Sequence, residues 1–216
     1  MKNNNFEILY YLLGGLACGI IYSLLIFRMT SSMLVKPIIY LYPTEETKVE
    51  VKLGYPDNLT VSYPVYNNSW DVIASPNGDL KEINTNKELY SLYYESDTDN
   101  GYKIEKDGFI VQKEDIVPFL EEKLEILGLN YKEKEEFIVY WLPILQKNNY
   151  NYIRFATYDE MNERMPLEIN PKPDTLIRVM MTYKGLNNKI DIEEQYLKKV
   201  ERNGFAAVEW GGSEIK

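Results

Sequence analysis

TKVEVKL, residues Thr47–Leu53, decides the fold: Val49, Val51 and Leu53 alternate with Lys48, Glu50 and Lys52. That two-residue period belongs to a strand with one face in a core and the other in water. The same signature recurs on either side. Residues 36–42 run apolar after Pro37, and Leu59, Val61 and Tyr63 alternate up to Pro64, so proline punctuates two further strands. Residues 70–74 and 80–83 flank Pro76, Asn77, Gly78 and Asp79, where Asn-Gly supplies the positive φ of a tight hairpin turn. Residues 89–95 and 109–112 complete a first half that is mainly β.

The second half opens on one amphipathic helix. Asp115 stands where it can cap the start, Val117, Leu120, Leu124 and Leu127 share a face, and Gly128 ends the run. Residues 132–136 read as a charged helical turn. Residues 137–145, rich in β-formers and containing Pro143, predict a strand paired across 147–149 with 150–157. The apolar run 176–183, bounded by Pro173 and Gly185, predicts a central strand covered on both faces, and 205–210 predicts the last strand. The expectation is an α+β fold, mainly antiparallel β and sandwich-like, with one amphipathic helix packed on it, preceded by a single transmembrane helix.

That last element comes from residues 8–27, twenty consecutive residues without a charge, long enough as a helix to cross a hydrocarbon layer roughly 30 Å thick. A cleaved signal peptide would have a shorter apolar core, so the run reads as a retained signal-anchor within a 1–35 segment of tail, span and linker. Cys18 sits inside the run without a matching lipidation pattern. Gly15 and Gly19 lie four apart, the spacing through which two spans can pack as a homodimer, although chance is the commoner origin of such a pair. The expected layout is a single-pass protein in the lipid bilayer, its amino terminus cytoplasmic and residues 36–216 forming one extracytoplasmic domain.

Composition then excludes function classes. Residues 36–216 carry 22 basic and 32 acidic side chains, a net of −10. An acidic surface repels phosphate backbones, so no nucleic-acid partner is expected. The chain has no histidine and its single cysteine lies in residues 8–27. Triad, thiol and ordinary zinc catalysis are thereby removed, leaving carboxylates, lysine, tyrosine or an oxygen-ligated metal. Asp97, Asp99, Asn100 and Gly101 resemble a calcium loop but miss the EF-hand spacing. No metal and no cofactor is expected.

Three glutamates and an aromatic pair remain as candidates. Glu95, Glu136 and Glu209 each border an apolar or aromatic segment, where partial burial suits a carboxylate to acid work or ligand binding, and paired carboxylates let glycosidases work without histidine. Of the tryptophans, Trp70 and Trp210 fall on alternating strands and read as core. Trp141, beside Tyr140 and ahead of Pro143, reads as the surface candidate, with Tyr93 and Tyr94 as further aromatics. The bland alternative is ordinary strand-end glutamates and buried rings.

KPIIYLYP (36–43), EFIVYWLP (136–143), PKPD (171–174) and EWGG (209–212) together resemble a family of exported or membrane-anchored β-rich proteins with a KPxIYLYP opening and a VEWGG ending. The resemblance spans nearly all of residues 36–216 and implies a shared β-rich, export-associated domain without implying an activity. Where that family often has Trp-Glu after a tyrosine-rich strand, this chain has Tyr94 and Glu95. The function expected is a non-catalytic binding or structural role at a membrane surface, with a protein or glycan ligand. The alternative is a histidine-free hydrolase, glycan or cell-wall directed, using two of the three glutamates.

Overall fold

In the computed structural model, residues 35–97 and 101–215 are described. The chain divides into residues 1–31 and 32–216, and all the described residues belong to the second unit. Its first half runs β1 (Val35–Tyr42), β2 (Thr47–Leu53), β3 (Leu59–Tyr63), β4 (Trp70–Ala74), β5 (Leu80–Glu82), β6 (Glu88–Leu89), β7 (Leu92–Ser96) and β8 (Asp107–Gln112). Two helices follow, α1 (Ile116–Ile126) and α2 (Tyr131–Leu145). The remainder is β9 (Tyr150–Phe155), α3 (Tyr158–Arg164), β10 (Leu167–Asn170), β11 (Thr175–Leu186), β12 (Glu193–Glu194) and β13 (Ala206–Glu214).

The strands make two sheets, ordered β12-β8-β9-β11-β13-β1-β7-β3 and β10-β2-β4-β5-β6. Pairing is antiparallel except for β11 with β13 and β8 with β12. Residue parity assigns the layers. Val49, Val51 and Leu53 point into a core shared with Ile39, Leu41, Trp70, Val72 and Tyr94, so the small sheet stacks on one face of the large one. Ile38, Tyr40, Val179, Val208 and Trp210 point the other way, into a second core with Leu120, Leu124, Phe137 and Trp141 of the helices. The large sheet is therefore covered on both faces, which is why β1, β11 and β13 read as unbroken apolar runs while β2 alternates.

The expectation of one packed helix preceded by a membrane-spanning one is corrected. Three α-helices occur among the described residues, and none is long and apolar enough to cross a membrane. Residues 8–27, with Gly15 and Gly19, lie outside the described residues, as do Asp99 and Asn100.

The largest error is residues 137–145, expected as a strand and folded as most of α2. Two local forces overrule β-propensity there. Asn130 and Glu133 form a reciprocal capping box, and Glu133, Phe137, Trp141 and Leu145 recur every fourth residue as the buried stripe. Pro143 lacks the N–H that would bond the Val139 carbonyl, but Val139 is 69% exposed, so water satisfies that group. Helix α3 was not expected and starts on a second capping box, Thr157 with Glu160. Asp115 precedes α1 but its side chain makes no cap hydrogen bond. Gly128, at φ 88°, ends the helix as expected.

Candidate functional site

The two long helices pack on the β8-to-β1 part of the large sheet and contribute no core contact over β7 and β3. That uncovered step, bounded by α2, is an open cleft of about 410 Å³ lined by Lys36, Ile38, Tyr63, Tyr93, Glu136 and the 88–91 segment that carries Tyr90. Strand parity supplies its floor. Leu92, Tyr94 and Ser96 face the small sheet, so Tyr93 and Glu95 face the cleft, and Tyr63 pairs with Tyr93 from β3.

Two carboxylates flank the cleft, each held by a phenol. Tyr40 Oη donates to Glu136 Oε2 at 2.6 Å, and Tyr93 Oη donates to Glu95 Oε1 at 2.6 Å. Burial, then the bond to and charge of Glu136, push the Tyr40 phenol far above its usual range. Burial and the Glu95 hydrogen bond do the same to Tyr93, while burial with the Glu95 charge raises Tyr140 and burial with the Glu136 charge raises Tyr90. All four remain neutral donors near pH 7. Each carboxylate keeps further lone pairs with which to accept hydrogen bonds.

Ring faces complete the lining. Tyr63 is 52% and Tyr90 57% exposed, unusual for large aromatics. Lys36 Nζ lies 4.5 Å from the Tyr140 ring centre and 5.5 Å from that of Trp210, and Lys87 Nζ lies 5.2 Å from Tyr63. Lys36 reaches that position with φ at 57°, a left-handed conformation that costs a non-glycine residue about 1 kcal/mol or more. Its neighbours fix the backbone there, since β1 shifts register against β13 between Val35 and Ile38.

Of the residues expected to form a site, Glu136 lines this cleft, Glu95 is bonded to the lining residue Tyr93, Tyr140 lies near Glu95 without lining the cleft, and two lie elsewhere. Glu209 is fully buried on the opposite face of the large sheet, where Tyr94 Oη donates to Oε1 at 2.6 Å and Arg178 Nε to Oε2 at 2.5 Å. It is a closed internal ion pair. Trp141, expected at the surface, is buried, its ring centre 4.9 Å from Tyr140 and 5.7 Å from Tyr183. Trp70 and Trp210 are core, as their strand positions predicted.

The four sequence phrases that carried the resemblance meet along β13. KPIIYLYP forms β1 and pairs with β13, setting Ile38 against Trp210 and Ile39 against Glu209. EFIVYWLP lies on that pair, and Gly212 admits Trp141: a Cβ there would sit 2.5 Å from Trp141 Cζ2. Asp174 of PKPD accepts the Phe205 backbone N–H at 2.7 Å, just before β13. Lys36, Tyr40, Tyr63 and Tyr90 were missed as site residues. Parity alone put Tyr40 on the helix side, but no sequence signal placed β3 beside β7. Among the described residues no group of carboxylates is arranged to hold a metal ion. In comparisons with protein families, curated proteins and solved structures, the chain matches none of them.

Proposed function

We propose that this domain is a non-catalytic binding module whose cleft takes a glycan. The observation that carries the reading is the gathering of Tyr63, Tyr90 and Tyr93 with Glu136 in one open cleft, with Glu95 bonded to Tyr93 behind it. Exposed tyrosine faces can stack on the C–H faces of sugar rings, and carboxylate and phenol oxygens can meet sugar hydroxyls, a pairing of apolar area with a few fixed polar groups. An extracytoplasmic location at a membrane surface belongs to the same proposal and rests on residues 8–27 alone.

The hydrolase alternative loses Glu209, which is sealed against Arg178 and Tyr94. Only Glu95 with Glu136 could serve, and each is already engaged by a tyrosine hydroxyl. Titration calorimetry against cell-wall and chitin-type oligosaccharides tests the reading, with product analysis of the same mixtures. Saturable binding that Tyr63→Ala and Tyr90→Ala weaken, with the sugar recovered intact, is the expected result. Cleaved sugar would favour the hydrolase, and no binding would refute the module.

A further inference from the structure

The cleft and its edge hold two carboxylates that lack the countercharge most half-buried carboxylates of this protein have. Asp107 and Glu160 are paired with Arg154, Glu133 with Arg202, and Glu209 with Arg178. Glu95 and Glu136 are half-buried as well, yet among the described residues neither forms an ion pair with lysine or arginine, and each is held by a neutral phenol. A half-buried carboxylate without a countercharge is a group that a cationic ligand can pair with through a charge-assisted hydrogen bond.

The surrounding rings already attract cations. Two of the protein's own ammonium groups rest on rings at the cleft, Lys36 on Tyr140 and Lys87 on Tyr63. The Tyr90 face is 57% exposed beside Glu136. On the lining itself, Lys36 against Glu88 and Glu136 leaves one negative charge, which a single ammonium would neutralise.

We infer that the cleft selects an amino sugar whose nitrogen carries no acyl group, its ammonium lodged beside Glu136 among the faces of Tyr63, Tyr90 and Tyr93. This rests on the glycan reading above. Acylation removes the charge and leaves ring stacking alone, so the two forms of one sugar separate the contributions.

The test is titration calorimetry of the full chain with a glucosamine oligomer, the N-acetylglucosamine oligomer of equal length, and an oligolysine peptide. The amino sugar is expected to bind about tenfold more tightly than its acetylated form, with the advantage shrinking as salt rises. The advantage should fall to about twofold in Glu136→Gln/Glu95→Gln, as an exposed neutral ring contact alone predicts. Glu136→Gln by itself carries the test if the double variant melts early. Equal or tighter binding of the acetylated oligomer overturns the inference and leaves the glycan reading standing. Binding of neither sugar overturns both. Oligolysine binding as tightly as the amino sugar overturns the sugar assignment, and a preference that survives both substitutions overturns its location.

Discussion

Arg178→Met should be among the most damaging single changes in the domain. The Arg178 side chain is 2% exposed and that of Glu209 not at all, and the pair is made through one 2.5 Å bond, with Tyr94 as the only other hydrogen-bonding partner of the carboxylate among the described residues. Arg178 Nη2 also donates to the Met165 carbonyl at 2.8 Å, tying β11 to the end of α3. Removing the arginine leaves a buried carboxylate with one neutral donor, a situation that costs about 3–5 kcal/mol. The orphaned Met165 carbonyl adds about 1 kcal/mol. Set against a total stability of about 5–15 kcal/mol, that approaches unfolding. Replacing both members, Arg178→Met with Glu209→Leu, removes the stranded charge and should recover most of the loss. Tyr94→Phe in the same background should recover about 1 kcal/mol more, because the phenol no longer has an acceptor. Equilibrium urea unfolding, with an unchanged slope, reads these differences. A single-variant loss under about 1 kcal/mol, or a double variant no more stable than the single, would refute the argument that the pair is held by mutual neutralisation in a dry interior.

Further outcomes follow from other contacts. Gly212→Ala places a Cβ 2.5 Å from Trp141 Cζ2 and 2.9 Å from the Met181 carbonyl oxygen, and should cost about 1–3 kcal/mol; partial recovery in combination with Trp141→Phe would identify the ring as the obstacle. Burial first, and the Glu209 charge next, raise the Tyr94 phenol well above its ordinary value near 10, and burial lifts Tyr102 and Tyr183 to about 12. All three folded values exceed the unfolded ones, so their contribution is complete below pH 10; that of Tyr102 and Tyr183 is lost as pH rises through about 12, and that of Tyr94 is lost as pH rises through its raised folded value. Tyrosinate absorbance should then appear together with loss of circular dichroism, whereas ionisation well before unfolding would contradict it. Burial alone would raise Glu160, but the Thr157 backbone N–H and the Arg154 guanidinium outweigh it and hold the carboxyl below its usual range. Its contribution is therefore present above the ordinary carboxylate range and is lost as pH falls through the folded value. Arg154→Gln should blunt that acid dependence by less than about 1 kcal/mol, since the pair is partly exposed.

The strands on single-faced or doubly covered sheet were legible because burial imposes a period. TKVEVKL alternates since its sheet has one dry face, and residues 176–183 are apolar throughout since β11 is packed on both. Helix α2 was misread because Pro143 and a cluster of β-branched and aromatic residues outweighed a quieter signal. Asn130 with Glu133, then every fourth residue to Leu145, marked a capped helix, and Thr157 with Glu160 marked α3 in the same way. At the cleft, Glu136 lines the opening and Glu95 is bonded to the lining residue Tyr93, each beside the aromatic segments that marked them in the sequence. Glu209 and Trp141 shared the setting, but they face a core.

The sequence alone determined the acidic charge, the absence of histidine and the strand-rich plan, since these follow from composition and from the period of burial along a strand. Tertiary structure alone decided which glutamate meets solvent and which meets arginine. Alternation gives each residue a side without naming the neighbour on that side. The stacking of a small sheet on one face of the large one, and of helices that stop short of β7 on the other, turned Glu209 inward against Arg178 and left Glu95 and Glu136 at an open edge among tyrosines.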